Sequence, residues 1–195
     1  DPGGIAQKVR ENLLDLLPIT NKSIALPLPS YSLKVIEKYI GFERTQDEYG
    51  GDWAMAKYIE GGKGFICIHC AGGLPEDWPE YHDITGGGWV YSGMSTTPGY
   101  GQFQITVKDD GNPCASNISD FITNDELYMN LGWRPDNDVF LACQFGEISQ
   151  PVAWTRKYGK GRVLKTTLGH DGLAFRTPEF QQLILNGVNW TTGNL

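Results

Sequence analysis

Apolar residues recur at helical spacing in the first stretch, IAQKVRENLLDLL, where Ile5, Val9, Leu13, Leu16 and Leu17 share one face and Pro18 ends the run. This predicts an amphipathic surface helix. Residues 18–32, with three prolines, read as an extended segment in a loop, and LKVIEKYIGF fits a helix or a strand equally well. In DWAMAKYIE, Asp52 stands at an expected N-cap and Gly61-Gly62 at the stop, which predicts a short helix leading into a buried strand, GFICIH. Farther on, GQFQITVKDDGNP alternates apolar and polar residues, and DVFLACQF is a second buried strand. PVAWTRKYGKGRVLKTTLGHD reads as two strands joined at Gly159-Lys160-Gly161. That Gly-Lys-Gly lacks the spacing of a phosphate loop and no helix pattern follows it, so a hairpin turn is the better reading. A terminal helix should run from Thr177 as N-cap and Pro178 as first helical residue, through Phe180, Leu183, Ile184 and Val188, to Gly193. Helix, Gly-Gly, apolar strand and small-residue turn in that order predict an α/β domain with a parallel sheet. Neither a repeat nor a linker divides the chain, so a single domain over residues 1–195 is expected.

Composition narrows the partners. The 16 Lys+Arg against 23 Asp+Glu give a formal charge of −7, which leaves no basic face for nucleic acid. No apolar run reaches the roughly 18–20 residues of a membrane helix, so neither nucleic acid nor a membrane is an expected partner. Four cysteines, Cys67, Cys70, Cys114 and Cys143, are too sparse for a disulfide scaffold and are read as reduced and structural. Three N-x-[ST] sequons, at Asn21, Asn117 and Asn189, exceed the roughly one that chance predicts. With the non-Met start at Asp1 they favour secretion and leave a cytoplasmic origin open.

In a doubly wound sheet, ligands bind beyond the carboxyl ends of the strands. The residues there are His69-Cys70, followed by Ala71-Gly72-Gly73, and Gly169-His170-Asp171, so two of three histidines fall at expected strand ends. Asp125 and Glu126 in NDELY add carboxylates. His69, His170 and one of these carboxylates would make a two-histidine, one-carboxylate set for a divalent metal such as zinc, though they come from distant segments. Cys70 suggests an alternative, a nucleophile on a strand-end turn with His170 as base, although Ile68 stands where a nucleophile elbow has glycine.

The runs GGKGFICIHCA, DWPEY, NDELY, PVAWTRKYGKGRVLKTTLGHD and FQQLILNGVNWTTG resemble, in that order, motifs of the ThuA-like family, named for trehalose utilisation, within the class I glutamine amidotransferase-like superfamily. The resemblance covers about residues 50–193. It implies a flavodoxin-like three-layer sandwich with a mainly parallel central sheet, and a role in carbohydrate metabolism linked to oxidised, 3-keto sugars. A complete fold of that kind starts with a strand before the first helix, so the N-terminal part reads as incomplete. On the matching positions the resemblance makes His69, Glu126 and His170 the site-forming residues, with Asp125, Tyr128 and Asp171 in support. It also implies that a metal can be held there.

Two departures stand out. Family members commonly carry a histidine where this chain has Thr97-Pro98-Gly99-Tyr100-Gly101 and another where it has Asn112-Pro113. Loop aromatics, among them Trp78, Trp89, Tyr91, Tyr100, Trp133 and Trp154, offer apolar faces of the kind sugar rings stack against, and Trp78, Trp89 and Cys70 are counted with the substrate-binding residues. The expected function is therefore action on, or binding of, a small sugar at the strand ends, by isomerase, lyase or hydrolase-type chemistry if it is an enzyme. A non-catalytic sugar-binding module and a Cys70-dependent amidotransferase or hydrolase are the alternatives.

Overall fold

The computed structural model describes residues 51–195; the expected first helix, the segment 18–50 and the sequon at Asn21 lie outside them. Helix α1 (Gly51–Glu60) starts one residue before the Asp52 cap that the sequence predicts. Strand β1 (Gly64–Ile68) and a 3-10 turn (His69–Gly72) follow, then the short α2 (Glu80–Thr85) and β2 (Gly87–Gly88). The chain continues through β3 (Tyr100–Val107), β4 (Phe121–Glu126), β5 (Gly132–Trp133), β6 (Asp138–Phe145), β7 (Ile148–Tyr158), β8 (Gly161–Thr166) and α3 (Pro178–Thr192). Helix α3 has the predicted ends, with Thr177 extended at the N-cap, Pro178 inside the first turn and Gly193 left-handed at φ +85°.

Six strands form one sheet in the order β1-β8-β7-β6-β3-β4, while β2 pairs with β5. Here the expected mainly parallel sheet is corrected. Among the described residues only β1 and β8 run parallel, and every other pair in the large sheet is antiparallel. The cause is local. β6, β7 and β8 are joined by two-residue turns, with Gly146 and Gly159 supplying positive φ, and a turn that short can only reverse the chain.

Consecutive residues of β8 serve opposite layers, as the two-residue period of a strand requires. Leu164 joins Phe180, Leu183 and Ile184 of α3 in the larger core, whereas Val163 packs with Ala56 and Ile59 of α1 and Ile84 of α2. Helices therefore cover the sheet on both faces. Trp154 on β7 is fully buried, and its indole N–H donates to the Thr85 carbonyl at the end of α2 at 2.8 Å. All four cysteines are free thiols, and only Cys70 is exposed. No helix among the described residues is long and apolar enough to cross a membrane.

Trp154→Phe removes the indole donor to Thr85 and leaves a small void beside Trp133, whose ring meets it edge-on at 5.2 Å. A loss of about 2 kcal/mol is expected, read from urea unfolding of parent and variant.

Candidate functional site

β1, β8 and β4 deliver their last residues to one place. β1 ends at Ile68, so His69 is the first residue of the following turn, and its backbone is left-handed at φ +47°. Such a conformation costs a non-glycine residue on the order of 1–2 kcal/mol and persists only where neighbours fix it. Two contacts do so. The Lys165 ammonium donates to the His69 carbonyl at 2.9 Å, and His69 Nδ1 lies 2.7 Å from the Thr167 carbonyl. Because that carbonyl can only accept, Nδ1 carries the proton and Nε2 turns its lone pair outward.

Around that lone pair the predicted residues converge. His69 Nε2 is 3.2 Å from His170 Nδ1 and 3.6 Å from Glu126 Oε2, and His170 Nδ1 is 3.3 Å from the same carboxylate oxygen. Tyr128 donates its hydroxyl to His69 Nε2 at 2.8 Å and stacks on the imidazole with ring centroids 4.6 Å apart. Trp89 meets Tyr128 edge-on at 4.9 Å, and the Tyr100 ring lies 5.4 Å from that of His170. His69 is buried, whereas the side chains of Glu126 and His170 are 23% and 42% exposed, so the cluster opens to solvent on their side.

Asp125 ties these strand ends together. Fully buried, it accepts from the backbone N–H groups of Gly169 at 2.7 Å, His170 at 3.1 Å and Glu126 at 2.8 Å. Gly169 sits at φ +113°, a conformation that lets the turn present both of its N–H groups to one carboxylate. Asp171 organises the next few residues of the chain, accepting from Leu173 and Ala174 N–H at 2.8 and 3.2 Å.

Burial shapes the electrostatics. It lowers the His69 pKa below the ordinary imidazole value, against the pull of the Thr167 carbonyl and of Asp125 and Glu126, so His69 is a neutral imidazole near pH 7. Burial, and secondarily the Glu126 charge, raises the Tyr128 pKa and keeps its phenol protonated. Burial also pushes the Asp125 carboxyl upward, and the three backbone donors oppose it.

The donor set suits a divalent ion. Two imidazole nitrogens and a carboxylate oxygen are the ligand types zinc takes, and bonds of about 2.1 Å to a tetrahedral ion place ligand atoms roughly 3.4 Å apart. The three separations here bracket that value, and the Thr167 carbonyl on Nδ1 is the outer partner that usually orients a metal-binding histidine.

Other predicted residues fall elsewhere. Trp78 packs on Tyr81 at 4.8 Å beside the α1/α2 core, so its ring covers that core and is not part of the cluster's wall. Cys70 is exposed on the turn and makes no hydrogen bond to His69 or His170 among the described residues; the strained position is His69, one residue earlier. Asn112 is buried and donates to Asp138 and Thr155 at 2.8 Å each, a structural contact away from the cluster. Sequence reasoning missed Lys165, almost wholly buried beneath the turn, where a Cβ on Gly72 would overlap its ammonium. The signal was a lysine inside the apolar run VLKTTL, in register with Cys67.

An α/β domain with a His-Glu-His cluster at its strand ends is the class that fold and site define. The trehalose utilisation (ThuA) family model matches residues 40–191, and the chain belongs to that family. Among solved structures it is similar to a ThuA-like protein from Parabacteroides merdae, with a TM-score of 0.66 and 19% identity over 78% of this chain and 69% of that one. A ThuA-like protein from Bacteroides uniformis gives a TM-score of 0.57 and 18% identity over 76% of this chain and 65% of that one. A β-galactosidase from Bacillus circulans sp. alkalophilus gives 0.53 and 15% identity over 74% of this chain but 21% of its own. No curated protein matches the chain.

Asp125→Asn keeps the size of the side chain but turns an amide N–H₂ toward backbone donors. A loss of about 2–3 kcal/mol in urea unfolding is expected, more than for substitution of the part-exposed Glu126 by Gln. Lys165 gives a pH test. Burial lowers its folded pKa below 10.5, so between the two values the unfolded chain holds more protons and stability rises with pH. Parent protein should therefore gain stability relative to Lys165→Met as pH rises from neutral toward 10, measured by urea unfolding of both proteins at several pH values.

Proposed function

We propose that this ThuA-family domain acts on a small carbohydrate, with an oxidised, 3-keto glycoside or disaccharide as the substrate class, by moving a proton at a carbon beside the carbonyl. The observation that carries this reading is the convergence of His69, Glu126 and His170 from three distant segments to within 3.2–3.6 Å. His170 Nε2 makes no hydrogen bond among the described residues and belongs to the half-exposed side chain, so it is the base that can reach a bound sugar. As Nε2 takes the proton, the imidazolium forms with Nδ1 beside the Glu126 carboxylate, which offsets the new charge. Tyr128 stays protonated and, by donating its hydroxyl to His69 Nε2, holds that ring in place beside His170. The half-buried Trp89 and the exposed Tyr100 supply aromatic faces near the cluster for a sugar ring.

His69, Glu126 and His170 would also hold a divalent ion, which supplies Lewis acidity toward a carbonyl oxygen. The Cys70 reading loses ground, because the exposed Cys70 thiol makes no hydrogen bond to His69 or His170 among the described residues. The finding that Asn112 points into a structural network weakens the argument that its missing histidine left a binding module only.

Exchange of the proton beside the carbonyl, followed by NMR in heavy water with 3-keto sugars, tests the reading. His170→Ala and Glu126→Gln should each slow it by about 100-fold or more, and unchanged rates would overturn it. Elemental analysis of protein purified without chelator or affinity metal should show near-stoichiometric divalent metal in the parent and none in His170→Ala; metal in neither leaves the metal-free form of the chemistry.

A further inference from the structure

A cavity of about 440 Å³ lies apart from the cluster, between β6–β7 and the segment that carries Asn130 to Trp133. Its size is within the range of small-molecule sites. Val139, Ala142 and Pro151 line it with apolar surface, and Trp133, 37% exposed, adds an indole held edge-on against the fully buried Trp154. An aromatic plane on such a support is already ordered before a ligand arrives.

The polar groups point to the kind of ligand. Gln150 is 94% buried, its Oε1 takes one long hydrogen bond of 3.4 Å from Asn130 N–H, and its other amide atom has no partner among the described residues. Whichever way the amide is turned, one polar atom is left for whatever enters. Lys108 at the rim makes no ion pair among the described residues, and no carboxylate lines the cavity. An apolar plane, an unpaired amide and an ammonium, with no acid, suit a ring bearing many hydroxyl oxygens better than a cation or a hydrocarbon.

We propose that this cavity is a second carbohydrate site, distinct from the His-Glu-His cluster, that takes a neutral mono- or disaccharide by stacking on Trp133 and hydrogen bonding to Gln150 and Lys108. The segment from Tyr128 to Trp133 runs from one site to the other, and it is pinned midway by the Ser95 hydroxyl on the Asn130 carbonyl at 3.1 Å and by the pairing of Thr96 with Met129. The assignment does not require the cluster to be catalytic.

Titration with glucose and with trehalose, read by saturation-transfer NMR and by tryptophan fluorescence, tests it. His170→Ala should bind at least one of these sugars as the parent does, while Trp133→Ala should weaken that binding by about tenfold. Lys108→Met, at an exposed position where folding is not at stake, should weaken it by several-fold. Absence of binding in the His170→Ala protein, or equal affinity in the Trp133→Ala and Lys108→Met proteins, would overturn the proposal. Because the cluster reading is judged by proton exchange and this one by binding to a protein without His170, either can fail alone.

Discussion

A single buried carboxylate holds the strand ends in register. Asp125 accepts three backbone N–H groups, one from its own strand and two from the turn after β8. β4 and β8 are not neighbours; β7, β6 and β3 lie between them in the sheet. The sheet must curl for their ends to approach, and Asp125 is the contact that fixes the approach. Glu126 and His170, each adjacent in sequence to a group in that bond set, meet because of it.

The second constraint acts on His69. A left-handed histidine after a strand is unfavourable on its own, and the Lys165 ammonium and Thr167 carbonyl together offset its cost. They also do something chemical. By fixing the tautomer, the Thr167 carbonyl leaves Nε2 as the atom that faces Glu126, His170 and Tyr128. Burying a lysine to hold a carbonyl is expensive, and here its burial sits directly below the most strained residue of the cluster.

The local signals in the sequence were strong and the long-range ones weak. Thr177-Pro178 and Gly193 marked α3 at both ends, and the strand-end positions of His69 and His170 were readable from the apolar runs before them. Glu126 came from the resemblance of NDELY to relatives, since adjacent acids by themselves usually describe a solvated surface. The parallel sheet was overextended from one helix-strand unit, although the turn at Gly159 already showed that β7 and β8 reverse. Two of Asp125's three donors, Gly169 and His170, and Lys165's carbonyl could not be read at all, because they lie 44, 45 and 96 residues away. Trp78 shows the reverse limit: an aromatic in a loop looks the same whether it covers a core or faces a ligand.

The cluster draws on residues 69, 126 and 170, so no single hairpin or helix contains it. It can form only after contacts between distant segments have closed, late in folding, when most of the sheet is in place. Its contribution to the kinetics should then fall on the unfolding limb: anything that cross-links the three side chains would act as a brake on the domain's opening while leaving the rate of its assembly nearly untouched.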